Sequence, residues 1–187
     1  MRALRLPSIL LVLIFAFAAF TLMGPNPARA ASAAEISRDA KKVLEKLYMK
    51  SQSAKALGEK AKAVLVFPRI TKGGFMVGGQ YGEGALLKEE ATIAYFSTVS
   101  VSYGMQVGVQ TYGYVLFFMT DAAREYLTRS DGWELGTGPS IVVVDEGVAG
   151  GISTTTARAD VYAFIFNQKG LMGGLGLQGT KITQITK

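Results

Sequence analysis

Ala61–Leu87 reads AKAVLVFPRITKGGFMVGGQYGEGALL. It joins a basic, helix-patterned segment to a glycine-rich region that reads as β-structure to the C-terminus. Ala63–Phe67 is a short apolar run with Val at two of its five positions, the make-up of a buried strand. Pro68 has no N–H to give a ladder and is expected to end that strand. Gly73–Gly74 and Gly78–Gly79 then mark turns, bulges or close backbone approaches. Nothing in the stretch is a catalytic motif.

On its N-terminal side, Ser32-Ala33-Ala34-Glu35 fits a capping box and should start a helix. Ile36, Ala40, Val43, Leu44 and Leu47 recur at helical spacing and form one apolar stripe. Lys41, Lys42, Lys46 and Lys50 flank or oppose it. Ser51-Gln52-Ser53 is a polar break, and Ser53 can cap a second helix to about Lys62. That helix turns Ala54, Leu57 and Ala61 inward and Lys55, Lys60 and Lys62 outward. Two readings of the stripe stand: it packs on the domain's own sheet, or it lies on an anionic membrane. Both hold together if the stripe faces in and the lysines face out.

On its C-terminal side, β-signals dominate. Phe75–Tyr81 and Glu83–Lys88 lead to a turn at Glu89-Glu90. Ala91–Ser97 and Val99–Tyr103 are rich in β-branched and aromatic residues. Val101, Tyr103, Met105, Val107 and Val109 alternate with Ser100, Ser102, Gly104, Gln106, Gly108 and Gln110. The Ser/Gly/Gln face admits a second backbone at close range or lines a polar surface. Tyr114–Met119 suits a strand buried on both faces. Thr120 or Asp121 then caps a short helix from Ala122 to about Thr128. Ser130-Asp131-Gly132 is a turn signal before Trp133. Ile141–Val144 and Val161–Phe166 are further buried-strand candidates, and Lys181–Lys187 alternates weakly. No long linker or repeat appears, so Ala31–Lys187 reads as a single domain, helical over 31–62 and mainly β over 63–187.

The 187-residue chain begins with the pattern of a signal peptide. Arg2 and Arg5 precede the uncharged Leu6–Met23, and Ala28-Arg29-Ala30 is a small-x-small cleavage site. Cleavage after Ala30 is expected, which makes the protein exported and periplasmic. The chain has no Cys and no His. Disulfides are therefore excluded, as are the Ser-His-Asp triad and ordinary structural zinc. Charge is uneven. Ala31–Lys72 holds ten basic and four acidic residues, whereas Gly73–Lys187 holds seven basic and ten acidic. The asymmetry points the N-terminal part at an anionic partner, and for an exported protein the nearest large one is a membrane. A merely solvated helix face is the plain alternative.

Gly174-Leu175-Gly176-Leu177-Gln178-Gly179 matches a dinucleotide fingerprint but lacks the following helix and acid that the motif needs. Glu89-Glu90 and Asp145-Glu146 lack the ligand series of a calcium loop. Aromatics interleaved with Gly and Ser can stack on bases, but export argues against nucleic acid. No cofactor, metal ligand or catalytic residue is assigned, and the protein is expected not to be an enzyme.

From about Ser53 to its end the chain resembles the SYLF domain family. The carriers are Ala61–Pro68, the glycine series Gly74–Gly84, Met105–Gln110, Val115–Asp121, and the closing block from Tyr162-Ala163-Phe164 through Lys169–Gly174 to Gln178-Gly179-Thr180. Glu89–Ser97 stands where the family has a Gly-x-Trp-x-x-Pro-like step. The resemblance implies binding to anionic phospholipid, with phosphoinositides as the eukaryotic ligands. The actin binding of fungal relatives does not carry over to an exported protein.

The expected fold is α+β: N-terminal helices packed on a curved, mainly antiparallel β-sheet that can close toward a barrel. The expected lipid-binding residues are Lys41, Lys42, Lys46, Lys50, Lys55, Lys60, Lys62, Arg69 and Lys72, with Phe75 and Met76 inserting. The alternative is a cell-envelope interaction protein that binds a protein partner without touching lipid.

Overall fold

The computed structural model describes residues 31–129, 132–145, 159–170 and 179–187. Helix α1 spans Ala33–Lys50 and opens on the expected capping box. The Ser32 side chain accepts from the Glu35 N–H, and Glu35 accepts from the Ser32 N–H. Ile36, Ala40 and Leu47 are buried, so the stripe packs on the domain's own sheet. Helix α2 is Gln52–Gly58, and two expectations need correcting there. Its cap is Ser51, whose hydroxyl accepts from the Ala54 N–H, and it stops at Gly58, short of Lys62. Glu59 is its C-cap, and at Gly58 the Tyr48 hydroxyl lies where a Cβ would stand.

Strand β1 runs unbroken from Ala63 to Lys88, and β2 from Ala91 to Phe118. Glu89 and Glu90, both at positive φ, form the two-residue turn between them. Pro68 therefore does not end a strand. It sits in a register shift between Phe67 and Ile70, where a ladder loses a rung and a missing N–H costs nothing. Likewise, the two short strands expected before Tyr103 are parts of one.

Twenty-six residues of straight strand would reach about 85 Å. A domain of this length is only about 40 Å across, so the ribbon must bend. It does so at register shifts near Phe67, Phe75 and Leu86, and at glycines that let the strand meet itself. A Cβ on Gly82 would stand 2.8 Å from the Arg69 carbonyl oxygen, and one on Gly84 would run into that of Val66. The early part of β1 thus crosses its later part at backbone contact.

The remaining strands complete a half-barrel. Strand β5 (Val161–Gly170) pairs with Gln110–Phe118 of β2, and β6 (Thr180–Ile185) with Tyr95–Ser100, both antiparallel. Since β1 pairs along all of β2, these two share its opposite edge. Strand β3 (Trp133–Glu134) lies beside β6, and β4 (Ile141–Asp145) runs parallel to β5. Helix α3 (Asp121–Leu127) is capped by Thr120, the first of the two candidate caps, and lies one residue earlier than the expected Ala122–Thr128. The architecture is α+β with a curled, mainly antiparallel sheet.

Ala31–Lys187 forms one compact unit with two cores. Leu65, Phe67, Leu116, Phe118 and Trp133 fill the concave side, while Val66, Val115, Phe117 and Phe164 pack beneath α1 and α2. Tyr112–Phe118 and Val161–Phe166 are buried on both faces, as their continuous apolar runs require. The Ile141–Val144 run departs from its buried reading: Val142 and Val143 are exposed on the strand that ends the sheet order among the described residues.

Candidate functional site

Helix α1 lies across the convex face and leaves a groove on either side. One groove, of about 790 Å³, runs between α1, the end of α2 and the Glu89-Glu90 turn. Lys41, Lys62 and Lys88 line it, but so do Glu45, Glu59, Glu89, Glu90 and Asp121. Acid exceeds base. Tyr48 is in the same wall, and burial pushes its hydroxyl up to about 12, with Glu59 and Glu90 adding to the effect. A groove of this sign repels anions.

The other groove, of about 470 Å³, has the opposite balance. Lys42 and Lys46 reach it from α1 and Arg69 from the β1 bulge, with Thr71 and Tyr81 beside them. Its two acids are already committed. Asp39 pairs with Arg38 at 3.2 Å. Glu83 holds Lys187 Nζ at 2.9 Å and accepts from the Tyr81 hydroxyl at 2.8 Å. Burial, then the Glu83 bond, lifts the Tyr81 hydroxyl to about 12, so it remains a neutral donor at physiological pH. Among the described residues, Lys42, Lys46 and Arg69 have no ion-pair partner. Three unneutralised cations around a half-open groove can take an anionic oxygen cluster by charge and hydrogen bonds.

The expected site residues therefore divide. Lys42, Lys46 and Arg69 come together, Lys41 and Lys62 fall in the acidic groove, and Lys50, Lys55 and Lys60 are exposed outside both. Lys72 corrects the expectation: it is 8% exposed and pairs across the ladder with the buried Gln110, so it is no part of the outward basic face. The side chains of Phe75 and Met76 lie outside the described residues.

Beyond the helices, the same two strands reverse their polarity. On the convex face Val77, Tyr81, Val99, Val101 and Val109 are exposed, Val101 by 59%. On the concave face Gln80, Thr98, Gln110 and Thr180 are buried. The Tyr112 hydroxyl donates to Gln80 Oε1 at 2.6 Å, and Gln80 Nε2 to Thr180 Oγ1 at 3.2 Å. The Tyr114 hydroxyl donates to Thr98 Oγ1 at 2.8 Å. Burial raises both tyrosines, Tyr112 to about 12. The reading of Ser100 and Gln110 as lying on one face was right; that face is the interior. The exposure of Tyr81 and the outward valines was not anticipated, although the alternation of Val101 and Val109 with Ser100 and Gln110 was visible in the sequence.

Among the described residues no group of three acids could hold a metal, and no helix is long and apolar enough to cross a membrane. A family model described as Ysc84, Las17-binding protein actin regulator, matches residues 99–187. No curated protein matches the chain significantly.

Proposed function

Because a Ysc84 family model matches residues 99–187, we propose that the protein is a non-enzymatic, exported module that associates peripherally with anionic phospholipid. The observation that carries this reading is the cluster of Lys42, Lys46 and Arg69, left unneutralised around one groove while the acids beside it are paired elsewhere. Each basic residue near an anionic membrane surface contributes about 1 kcal/mol, so three together supply roughly a hundredfold in partition. The exposed Lys50, Lys55 and Lys60 add a longer-range attraction that salt screens.

The test is co-sedimentation of Ala31–Lys187, which carries both cores, with anionic and with zwitterionic vesicles at low and high salt. Anionic-selective, salt-weakened binding is expected, and the triple variant Lys42→Glu, Lys46→Glu, Arg69→Glu should lose it. Binding by that variant equal to the parent's removes the groove from the reading. A second reading, an envelope protein partner, is supported by β4. Among the described residues it ends the sheet order with Val142 and Val143 exposed, and an edge of this kind can accept an added strand.

A further inference from the structure

We infer that the convex face of the ribbon beyond the helices inserts shallowly into the lipid bilayer. Its exposed valines enter the acyl region while the neighbouring basic groove holds the headgroups. This rests on the lipid reading above and assigns it a second, apolar component on the sheet, distinct from the lysines of α1.

The first argument is register. Tyr81 faces Val99, Gly79 faces Val101 and Val77 faces Tyr103 across the ladder, so Val77, Tyr81, Val99 and Val101 form one continuous outward patch. Val109, opposite Gly73, has the same parity in β2 and is exposed too. The odd positions farther along β2, Val115 and Phe117, are covered by α1 and α2. The apolar stripe therefore outruns the helices that cover it.

The second argument is the opposite face. A strand whose convex side faced water would put its polar residues there. Here they point in, and side-chain bonds join Gln80, Tyr112 and Thr180, and Tyr114 and Thr98, while Gln110 Oε1 is buried without a partner. Apolar outside and polar inside is the alternation of a strand whose outer neighbour is lipid.

The third argument is the rim. Tyr81 belongs both to the patch and to the wall of the basic groove, with Arg69, Lys42 and Lys46 beside it. An amphipathic tyrosine flanked by cations at the edge of an apolar patch matches the chemistry of the headgroup boundary of an anionic bilayer. That charge complementarity selects a bilayer over a second copy of the chain, whose own groove is equally cationic.

The experiment uses Ala31–Lys187 and vesicles of phosphatidylcholine with and without phosphatidylglycerol. Val101→Glu and Val109→Glu are each expected to lower partition at least tenfold at both low and high salt, with unchanged thermal unfolding. Val101→Trp is expected to raise partition, and its indole to be quenched by brominated acyl chains; the parent's single Trp133 is buried and sets the background. If both glutamate variants bind like the parent while the groove triple variant does not, insertion is overturned and the electrostatic reading survives. If the parent binds neither vesicle, both fall. If the parent is a dimer that Val101→Glu dissolves, and the Val101→Trp indole escapes quenching, the patch joins copies of the chain and insertion is overturned.

Discussion

The β1–β2 ribbon is one pair of strands with two characters. Near the Ala63–Phe118 end, Val64, Val66, Val115 and Phe117 pack beneath the helices while Leu65, Phe67, Leu116 and Phe118 fill the concave core. Toward the bend, the convex face carries exposed Val99, Val101 and Val109, and the concave face carries buried Gln80, Thr98 and Gln110. Both regions alternate with period two, and backbone pairing continues through both. What differs is what each face meets. Alternation fixes which residues share a face, but it does not say whether the neighbour is a helix, water, a second strand or a membrane.

The sharpest way to break this comparison is a matched pair of truncations. Phe117→Ala removes a ring that meets Phe164 edge-to-face at 5.5 Å and stacks on Tyr48 at 6.3 Å. It should cost about 3–5 kcal/mol in urea denaturation, whereas Val101→Ala should stay within about 0.5 kcal/mol. Similar costs at the two sites would mean that the outer patch is buried in solution. Next in size, Gly84→Ala forces a methyl into the Val66 carbonyl and the Phe67 ring. A loss of about 2 kcal/mol or more is expected by the same assay; a neutral result would show that the curl opens freely.

The polar interior gives a smaller effect. Gln80→Ala strands the Tyr112 hydroxyl and should cost about 1–3 kcal/mol, while the exposed neighbour Gly79→Ala should cost less. The same interior sets an alkaline limit. Tyr112 is held near 12 by burial, partly offset by its Gln80 bond, and the buried Tyr114 is raised as well. In the unfolded chain tyrosine ionises near 10. A raised folded value means that stability is complete below about pH 10 and is lost as pH climbs from there toward 12. Unfolding midpoints at pH 8, 10 and 11, read with tyrosinate absorbance, check the sign.

The smallest effect should be a gain. Glu89 and Glu90 both sit at positive φ in the hairpin turn, where side chains other than Asn and Gly are strained. Glu89→Asn with Glu90→Gly should stabilise by about 1 kcal/mol, seen as a few degrees in Tm.

Much of this is legible in the sequence. The Ser32–Glu35 capping box, the stripe ending at Leu47, the Glu89-Glu90 turn, the Tyr114–Met119 core run (whose strand ends one residue early, at Phe118) and the α+β class all follow from local patterns. Pro68 misled because its missing N–H is a penalty only where a rung exists, and a register shift removes that rung. Ser51 displaced Ser53 as cap because α1 and α2 share a single residue between them. The site was half legible. Lysine positions are visible in sequence, but their sorting into an acid-rich and a cation-rich groove depends on Glu89, Glu90 and Asp121 arriving from distant elements. Lys72 looked like any other surface lysine until the curl of β1 buried it.

The unbroken hairpin also has a kinetic consequence. Its ladder starts at Lys88 opposite Ala91 and ends at Ala63 opposite Phe118. Each rung brings together residues that the previous rung has already placed side by side, so the entropy of loop closure is met in small increments. Strand β6 has no such route: Tyr95 opposite Ile185 must close a loop across most of the domain in one step. The ribbon should therefore zip outward from Glu89-Glu90 early, with β6 docking late. The polar interior, which needs Thr180 for its Gln80 bond, should be the last part to become protected from hydrogen exchange during refolding.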